Sequence, residues 1–247
     1  MRMTATIATA LLLTASAAFA GDHGTHWGYT GHEGPEHWGE LSEEYRMCAQ
    51  GMNQSPIDIV ASVHGDLAPI GFGYTAAPTE ILNNGHTVQV NVAKGSTITL
   101  DGETYALLQF HFHTPSENHI AGKEFPLEAH FVHANAEGHL AVVGVMFEAG
   151  AENAELKKLW ADMPMEAGVH HTLHADAADV LALLPEKREY YRFNGSLTTP
   201  PCTEGVKWMV LKQPLTISKA QVEKFMHAVH GPDNRPVQPL NARVVAD

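Results

Sequence analysis

The sequence predicts a mainly β protein of the α+β class: one domain on a large central sheet, with a few short peripheral helices. Three observations carry that reading. Runs of β-branched and aromatic residues recur along the chain, several bounded by Asn-Gly, Asp-Gly or Lys-Gly turns. One run, 140–147, is almost wholly apolar, as a central strand covered on both faces would be. Helical stripes are few, and no repeat, low-complexity tract or linker divides the 247 residues. That length fits one large β-rich domain able to bury a sizeable core.

Taken in order, residues 1–20 stand apart from the fold. Arg2 supplies a basic start, 7–13 an apolar run, and Ala18-Phe19-Ala20 a small-x-small cleavage signal. Together they read as a secretory signal peptide cut after Ala20. The domain then spans 21–247, in the periplasm or outside the cell. A membrane span needs about twenty apolar residues, which no other segment approaches, so membrane insertion is not expected. Segment 21–38 is rich in Gly, His and aromatics without periodicity, and reads as an irregular stretch lying across a surface. Gln54-Ser55-Pro56-Ile57 leads into a short strand. Further strands are expected at 72–75, 80–83, 87–92, 96–100, 105–113, 126–133, 140–148, 190–194 and 207–211. Helices are expected at 153–163, where Leu156, Leu159 and Trp160 form a core stripe, and at 176–184, which has a plausible cap and stops at Pro185. A third opens on the capping box Ser218-Lys-Ala-Gln221 and runs to about 227.

The net charge of −13 becomes −14 when Arg2 leaves with the signal peptide. No basic stripe exists to neutralise phosphates, so nucleic acid is not an expected partner. Acidity of this kind mostly reports solubility. The two cysteines, Cys48 and Cys202, read as a disulfide in an oxidising compartment. It would close a loop of about 150 residues, for which chain entropy gives on the order of 5 kcal/mol. A reactive or metal-binding thiol pair is the alternative.

The chemistry concentrates in Gln109-Phe110-His111-Phe112-His113, answered by Glu128-Ala129-His130. Alternate residues of a strand share a face. Gln109, His111 and His113 therefore face one way and Phe110 and Phe112 the other, while Glu128 and His130 share a face. A lone H-x-H pair reads more readily as two half-buried strand histidines than as a metal site. Three imidazoles on two paired strands can converge on one point, with room for a fourth ligand, as a catalytic zinc requires. Gln109 and Glu128 each stand two residues before a histidine, placed to accept the ring N–H that a metal leaves unused.

Other segments fit around this one: His26-Trp-Gly-Tyr29, Gln54-Ser-Pro-Ile57, Asn83-Asn-Gly-His86, Gln109-Phe-His-Phe-His-Thr-Pro-Ser-Glu117, Pro126-Leu-Glu-Ala-His130 and Gly195-Ser-Leu-Thr-Thr-Pro-Pro201. In these motifs, and in their order from His26 to about Arg243, the chain resembles the alpha-class carbonic anhydrases, most of all the secreted bacterial members. The resemblance implies a mostly antiparallel, twisted central sheet. It implies a zinc enzyme that reversibly hydrates carbon dioxide to bicarbonate and a proton, through attack by hydroxide held on Zn2+. Hydrolysis of activated esters is an implied side activity, and a homodimer an implied possibility.

It also implies roles. His111, His113 and His130 match the zinc ligands, backed by Gln109 and Glu128. Thr198 matches the threonine that accepts a hydrogen bond from the nucleophile, and Glu117 the carboxylate that orients it. Thr199 lies beside it in the substrate pocket, and Val132, Val142, Leu197, Val206 and Trp208 match its apolar wall. Such a wall suits a small uncharged substrate. His86 matches the proton shuttle, a task for a side chain titrating near neutral pH. Read without the family, it is a turn histidine. Tyr29, Asn84 and Gln89 would line the water path. Asn234 would offer its carbonyl to a ligand histidine. Asn118, followed by His119, stands where many members carry a histidine, and altered packing without lost chemistry is expected there. His23, His26, His32 and His37, and likewise His170, His171 and His174, are expected to be exposed or structural and not to form a second metal site.

Two rivals remain open at this point. A periplasmic copper–zinc superoxide dismutase would need further histidine ligands, one of them bridging. A non-enzymatic relative used as a binding module would have lost a zinc histidine, and all three are present.

Overall fold

The computed structural model describes residues 25–247. The expected signal peptide and His23 lie outside the described residues. The strands are β1 (Asp58–Ile59), β2 (Gly71–Gly73), β3 (Pro78–Asn83), β4 (Val88–Val92), β5 (Thr97–Leu100), β6 (Glu103–His113), β7 (His119–Ile120), β8 (Leu127–Ala134), β9 (Leu140–Ala149), β10 (His170–Thr172), β11 (Tyr190–Ser196), β12 (Glu204–Leu211) and β13 (Leu215–Ile217). The helices are α1 (Trp38–Leu41), α2 (Met47–Gln50), α3 (Ala154–Leu159) and α4 (Lys219–Ala228), with short 3-10 turns between elements.

Eleven strands form one sheet whose main path runs β10-β3-β4-β6-β8-β9-β12-β11. β2 and β5 extend it beside β6, and β13 lies along the far end of β9. The sheet is mostly antiparallel; only β12 and β13 run parallel to β9. β1 and β7 make a separate parallel pair. Among the described residues no helix is long and apolar enough to cross a membrane.

Each face of the sheet has its own core. One carries Phe110, Phe112, Phe131, Val143, Val145 and Phe147, closed over by Leu156, Leu159 and Trp160 of the α3 segment and Phe225 of α4. The other carries Val132, Val142, Met146, Phe193, Val206 and Trp208. β9 is covered on both faces, as its apolar run predicts: Ala141, Val143 and Val145 belong to the first core, Val142 and Met146 to the second. A third, small cluster packs Trp38 and Tyr45 around the disulfide Cys48–Cys202, whose Cα atoms are 5.0 Å apart.

A β-bulge in β6 decides which residues reach which face. Leu107 pairs with His133, yet Gln109 pairs with Val132, so one extra residue sits between them. A two-residue step should keep side chains on one face. The bulge breaks that parity, so Leu107 joins the first core while Gln109, His111 and His113 turn to the other side.

The α3 and α4 segments form as their caps require. Asn153 accepts from the amides of Glu155 and Leu156, and Ser218 and Gln221 close a capping box. The two helices are tied together because Gln221 also bonds the Asn153 backbone in both directions, at 2.8 and 2.9 Å. The helix expected at 176–184 does not form; only Leu181–Leu183 turns, as a 3-10 helix. The Asp179 amide is claimed by the Glu155 carboxylate. Ala178 and Val180, two apart, are both buried, a spacing no single helical face offers. Segment 21–38 is irregular in its described part but not merely superficial, since Trp38 is fully buried.

Candidate active site

The pairing of β6 with β8 sets the centre. His111 stands directly opposite His130, and His113 opposite Glu128. The three imidazole rings pack against one another, with centroids 4.8–5.3 Å apart. One nitrogen from each lies within 4.8 Å of the others. Each ring's other nitrogen faces an oxygen. His111 Nδ1 meets Gln109 Oε1 at 2.8 Å, and His113 Nδ1 meets the Asp233 carbonyl at 2.8 Å. His130 Nε2 lies 3.0 Å from Glu128 Oε1, a close contact without the alignment of a full hydrogen bond. The sequence expectation put the Asn234 carbonyl against a ligand histidine. The carbonyl that arrives is that of its neighbour Asp233, because Asp233 is drawn in by the Thr114 amide on its own carboxylate.

His113 and His130 are buried and His111 is partly buried, and burial is the first cause of the lowered pKa values of all three. His111 and His130 fall well below the usual histidine range, and His113 falls to about 4. Neutral imidazoles with one free nitrogen each are what a zinc ion binds. His113 Nε2 is buried with no hydrogen-bond partner, an orphan a metal would satisfy. The donor set therefore fits a zinc ion held by His111, His113 and His130.

Two buried carboxylates stand behind the rings. Burial pushes Glu128 up to about 7, against hydrogen bonds from Asn118 that pull the other way. Burial also pushes Glu117 up to about 8, opposed by the Arg235 amide and by Thr198. Glu117 Oε1 accepts from the Arg235 amide at 2.8 Å. Thr198 reaches the same carboxylate loosely, for Oε2 ends without a well-aligned partner. The loop carrying Thr198 and Thr199 is stitched down by Cys202, whose amide donates to the Thr199 carbonyl at 2.9 Å. Ser55 and Ser196 exchange two further bonds at 2.9 and 3.1 Å. A side chain at Gly195 would meet Ser55 Oγ at 2.1 Å, so only glycine lets these segments close.

Val132, Val142, Val206 and Trp208 cluster on the face that carries the histidines, with Leu197 against them. The Trp208 ring meets His130 edge-on at 4.8 Å. In the turn before β4, half-buried His86 stacks on Trp27 at 3.7 Å and 7° between planes. Asn84 holds the turn: its Oδ1 accepts from the amides of His86 and Thr87, each at 2.9 Å. Gln89 stands beside His111 in the register. The Tyr29 hydroxyl is buried.

Residues that sequence reasoning missed are Asp233, Arg235 and Trp27. Arg235 is almost wholly buried. It donates to Gln54, Ser55 and Cys48 at 2.7–2.9 Å. A charged Asp-Asn-Arg between prolines was the available signal, and nothing local says that it folds inward. A second ligand-like group, Glu103, Glu137 and His139, lies on the surface. Glu103 is already engaged by Tyr105, Asn135 and Lys207, so it reads as a structural network. Among the described residues, His26, His32, His37, His170, His171 and His174 join neither group.

The description "Eukaryotic-type carbonic anhydrase" belongs to the family model that matches residues 33–247. The chain belongs to the alpha-class carbonic anhydrases. It is 54% identical over 243 residues to a carbonic anhydrase of Neisseria gonorrhoeae, covering 97% of this chain and 96% of that one. It superposes with a TM-score of 0.87 on the alpha-carbonic anhydrase of Thermovibrio ammonificans, solved with the inhibitor sulfanilamide, at 51% identity, covering 91% of this chain and all of that one. The Photobacterium profundum enzyme gives 0.85 at 53% identity, covering 90% of this chain and all of that one. The protein is accordingly an enzyme of the carbon dioxide–bicarbonate interconversion, and the family's members are zinc enzymes.

Proposed function

We propose that this chain hydrates carbon dioxide reversibly at a zinc ion held by His111, His113 and His130, with His86 passing the released proton to solvent. The observation that carries the reading is the set of three converging imidazoles, with the second nitrogens of His111 and His113 hydrogen-bonded and that of His130 beside the Glu128 carboxylate. When bound there, a zinc ion supplies the Lewis acidity that makes water nucleophilic at neutral pH; carbonic anhydrases are themselves the reference case for this effect, with a bound-water pKa of about 7.

The chain's own residues do the rest. Gln109, the Asp233 carbonyl and Glu128 fix ring orientation, so each free nitrogen points to the common centre. Thr198, backed by Glu117, offers a hydroxyl that can turn its proton toward the carboxylate. Its oxygen is then free to accept from the attacking water and fix its direction. Val132, Val142, Leu197, Val206 and Trp208 form a dry wall that holds an uncharged substrate without a charge clamp, with Thr199 at its edge. The Tyr29, Asn84 and Gln89 positions border the route from the histidines to His86.

Stopped-flow carbon dioxide hydration by the purified protein, before and after zinc chelation, tests this. Fast hydration that vanishes with the metal and returns with zinc is expected. A folded protein holding one zinc and showing no hydration would sink the reading.

The same reading takes the protein as exported, its domain beginning at Gly21. The Cys48–Cys202 disulfide supports an oxidising compartment. N-terminal sequencing of the periplasmic fraction should return Gly-Asp-His-Gly; a protein still starting at Met1 would refute the cleavage.

A further inference from the structure

We propose that Asn118 is a positioning residue for the third metal ligand: its amide fixes the Glu128 carboxylate against His130, and so sets how tightly the centre holds zinc. This rests on the reading of His130 as a ligand.

The argument is one of donors and acceptors. Asn118 is fully buried. Its Oδ1 accepts from the Ile57 amide at 3.1 Å. A backbone N–H can only donate, so the amide orientation is fixed: oxygen toward Ile57, nitrogen toward Glu128. Nδ2 then donates to Glu128 Oε1 at 2.8 Å. The Asn118 and Glu117 amides both donate to Glu128 Oε2, at 2.8 and 2.9 Å. A carboxylate offers about four lone-pair sites. Three are occupied from this one segment, and Oε1 is left facing His130 Nε2 at 3.0 Å. The opposite wall gives way to the same carboxylate: a Cβ on Gly144 would come within 3.0 Å of Glu128 Oε1. Glu128 is thus held by three donors from one segment, and Gly144 leaves the room its Oε1 occupies. Because the Glu117 amide shares the clamp, the carboxylate behind Thr198 is positioned by it too.

Asn118→Asp separates this role from packing. It keeps the shape and the acceptor for Ile57, and it replaces the one donor toward Glu128 with a second carboxylate oxygen. The readout is the zinc dissociation constant by chelator competition, with folding checked by circular dichroism. Losing a group that orients a metal ligand typically weakens binding about 10–100-fold, and a change of that size is expected. Asn118→Ser, whose hydroxyl ends one bond short of the Nδ2 position and so draws the donor back from Glu128 without adding charge, should weaken binding about tenfold and decides the matter if the Asp variant does not fold. Tyr74→Phe serves as the control. It removes a buried hydrogen bond to His133, 2.7 Å long, on the other face. It should cost stability and leave zinc affinity unchanged. Folded Asp and Ser variants with wild-type zinc affinity would overturn the proposal, as would an equal loss in Tyr74→Phe. A wild-type protein that takes up no zinc would instead overturn the ligand reading, and this inference with it.

Discussion

β6 shows two proteins in one strand. Gln109, His111 and His113 point to one side of the sheet, Phe110 and Phe112 to the other. Every second residue therefore belongs to a different physical problem. On the phenylalanine side, burial is the aim, and the ring stacks of Phe110 on Phe131 and the edge contacts of Phe112 with Trp160 and Phe225 fill space. On the histidine side, burial is a cost borne for chemistry. It drives the imidazoles neutral and pushes two carboxylates up. Adjacent substitutions should then fail in different ways. His111→Ala should lose zinc and, with it, essentially all hydration, while the sheet survives. A zinc-loaded, fully active His111→Ala protein would dissolve the comparison.

The opposite failure comes from the next residue. Phe112→Ala should destabilise the domain by about 3–5 kcal/mol, as large aromatic truncations in cores do. For a domain of this size that is roughly 6–20 °C in Tm. The folded fraction should still bind one zinc and turn over normally below its melting range. Loss of zinc at temperatures where Phe112→Ala remains folded would mean that the two faces are coupled through the strand.

Much of this was legible in the sequence because alternation is a physical periodicity. The two-residue repeat separates His111 from Phe112 without any structure, and the apolar run of β9 announces a strand covered twice. What was not legible depends on distant partners. The bulge near residue 108 flips the parity of β6, yet nothing at Leu107-Leu108-Gln109 advertises it. β10 is a short exposed edge strand, His-His-Thr, with no alternation to read. β13 is only three residues long. The 176–184 helix failed because a carboxylate from α3 claims the Asp179 amide. Within the site, the ligand spacing could be read. The Asp233 carbonyl and the buried Arg235 could not, since their partners are more than a hundred residues away in sequence.

Acid should expose a third contrast, between the faces' histidines. His133 is on the phenylalanine side, its Nε2 against the Tyr74 hydroxyl and its Nδ1 3.2 Å from the Ala141 carbonyl. Burial pushes its pKa down to about 4, more than its backbone hydrogen bonds raise it. Unfolded, it titrates near 6.5. Between those values the unfolded chain binds a proton that the folded chain refuses, so stability falls as pH falls through that window. The contribution is about 3 kcal/mol, complete above pH 6.5 and gone by about pH 4. In urea melts of zinc-stripped protein, His133→Gln should lose less stability than wild type between pH 6.5 and 4.5. Equal losses would put the acid sensitivity on the ligand face.

The smallest effect should come from a histidine on neither face. His86 sits in a turn that Asn84 holds through two backbone amides, with its ring against Trp27. Those two bonds survive truncation of the side chain, but the stack on Trp27 is lost, so His86→Ala should cost about 0.5–1.5 kcal/mol of stability. The protein stays folded, so the effect on activity should be kinetic. A group that carries protons away acts after carbon dioxide has reacted, so turnover should fall while kcat/KM stays constant. A loss of about tenfold, equivalent to 1.4 kcal/mol of barrier, is expected in weak buffer, because water still reaches the site. Imidazole in the medium should restore much of it, since a diffusing base that titrates near neutral pH can do the same work. Unchanged turnover in weak buffer would remove His86 from the proton route. A parallel fall in kcat/KM would mean that the turn shapes the substrate pocket, and the division of labour between turn and sheet would have to be redrawn.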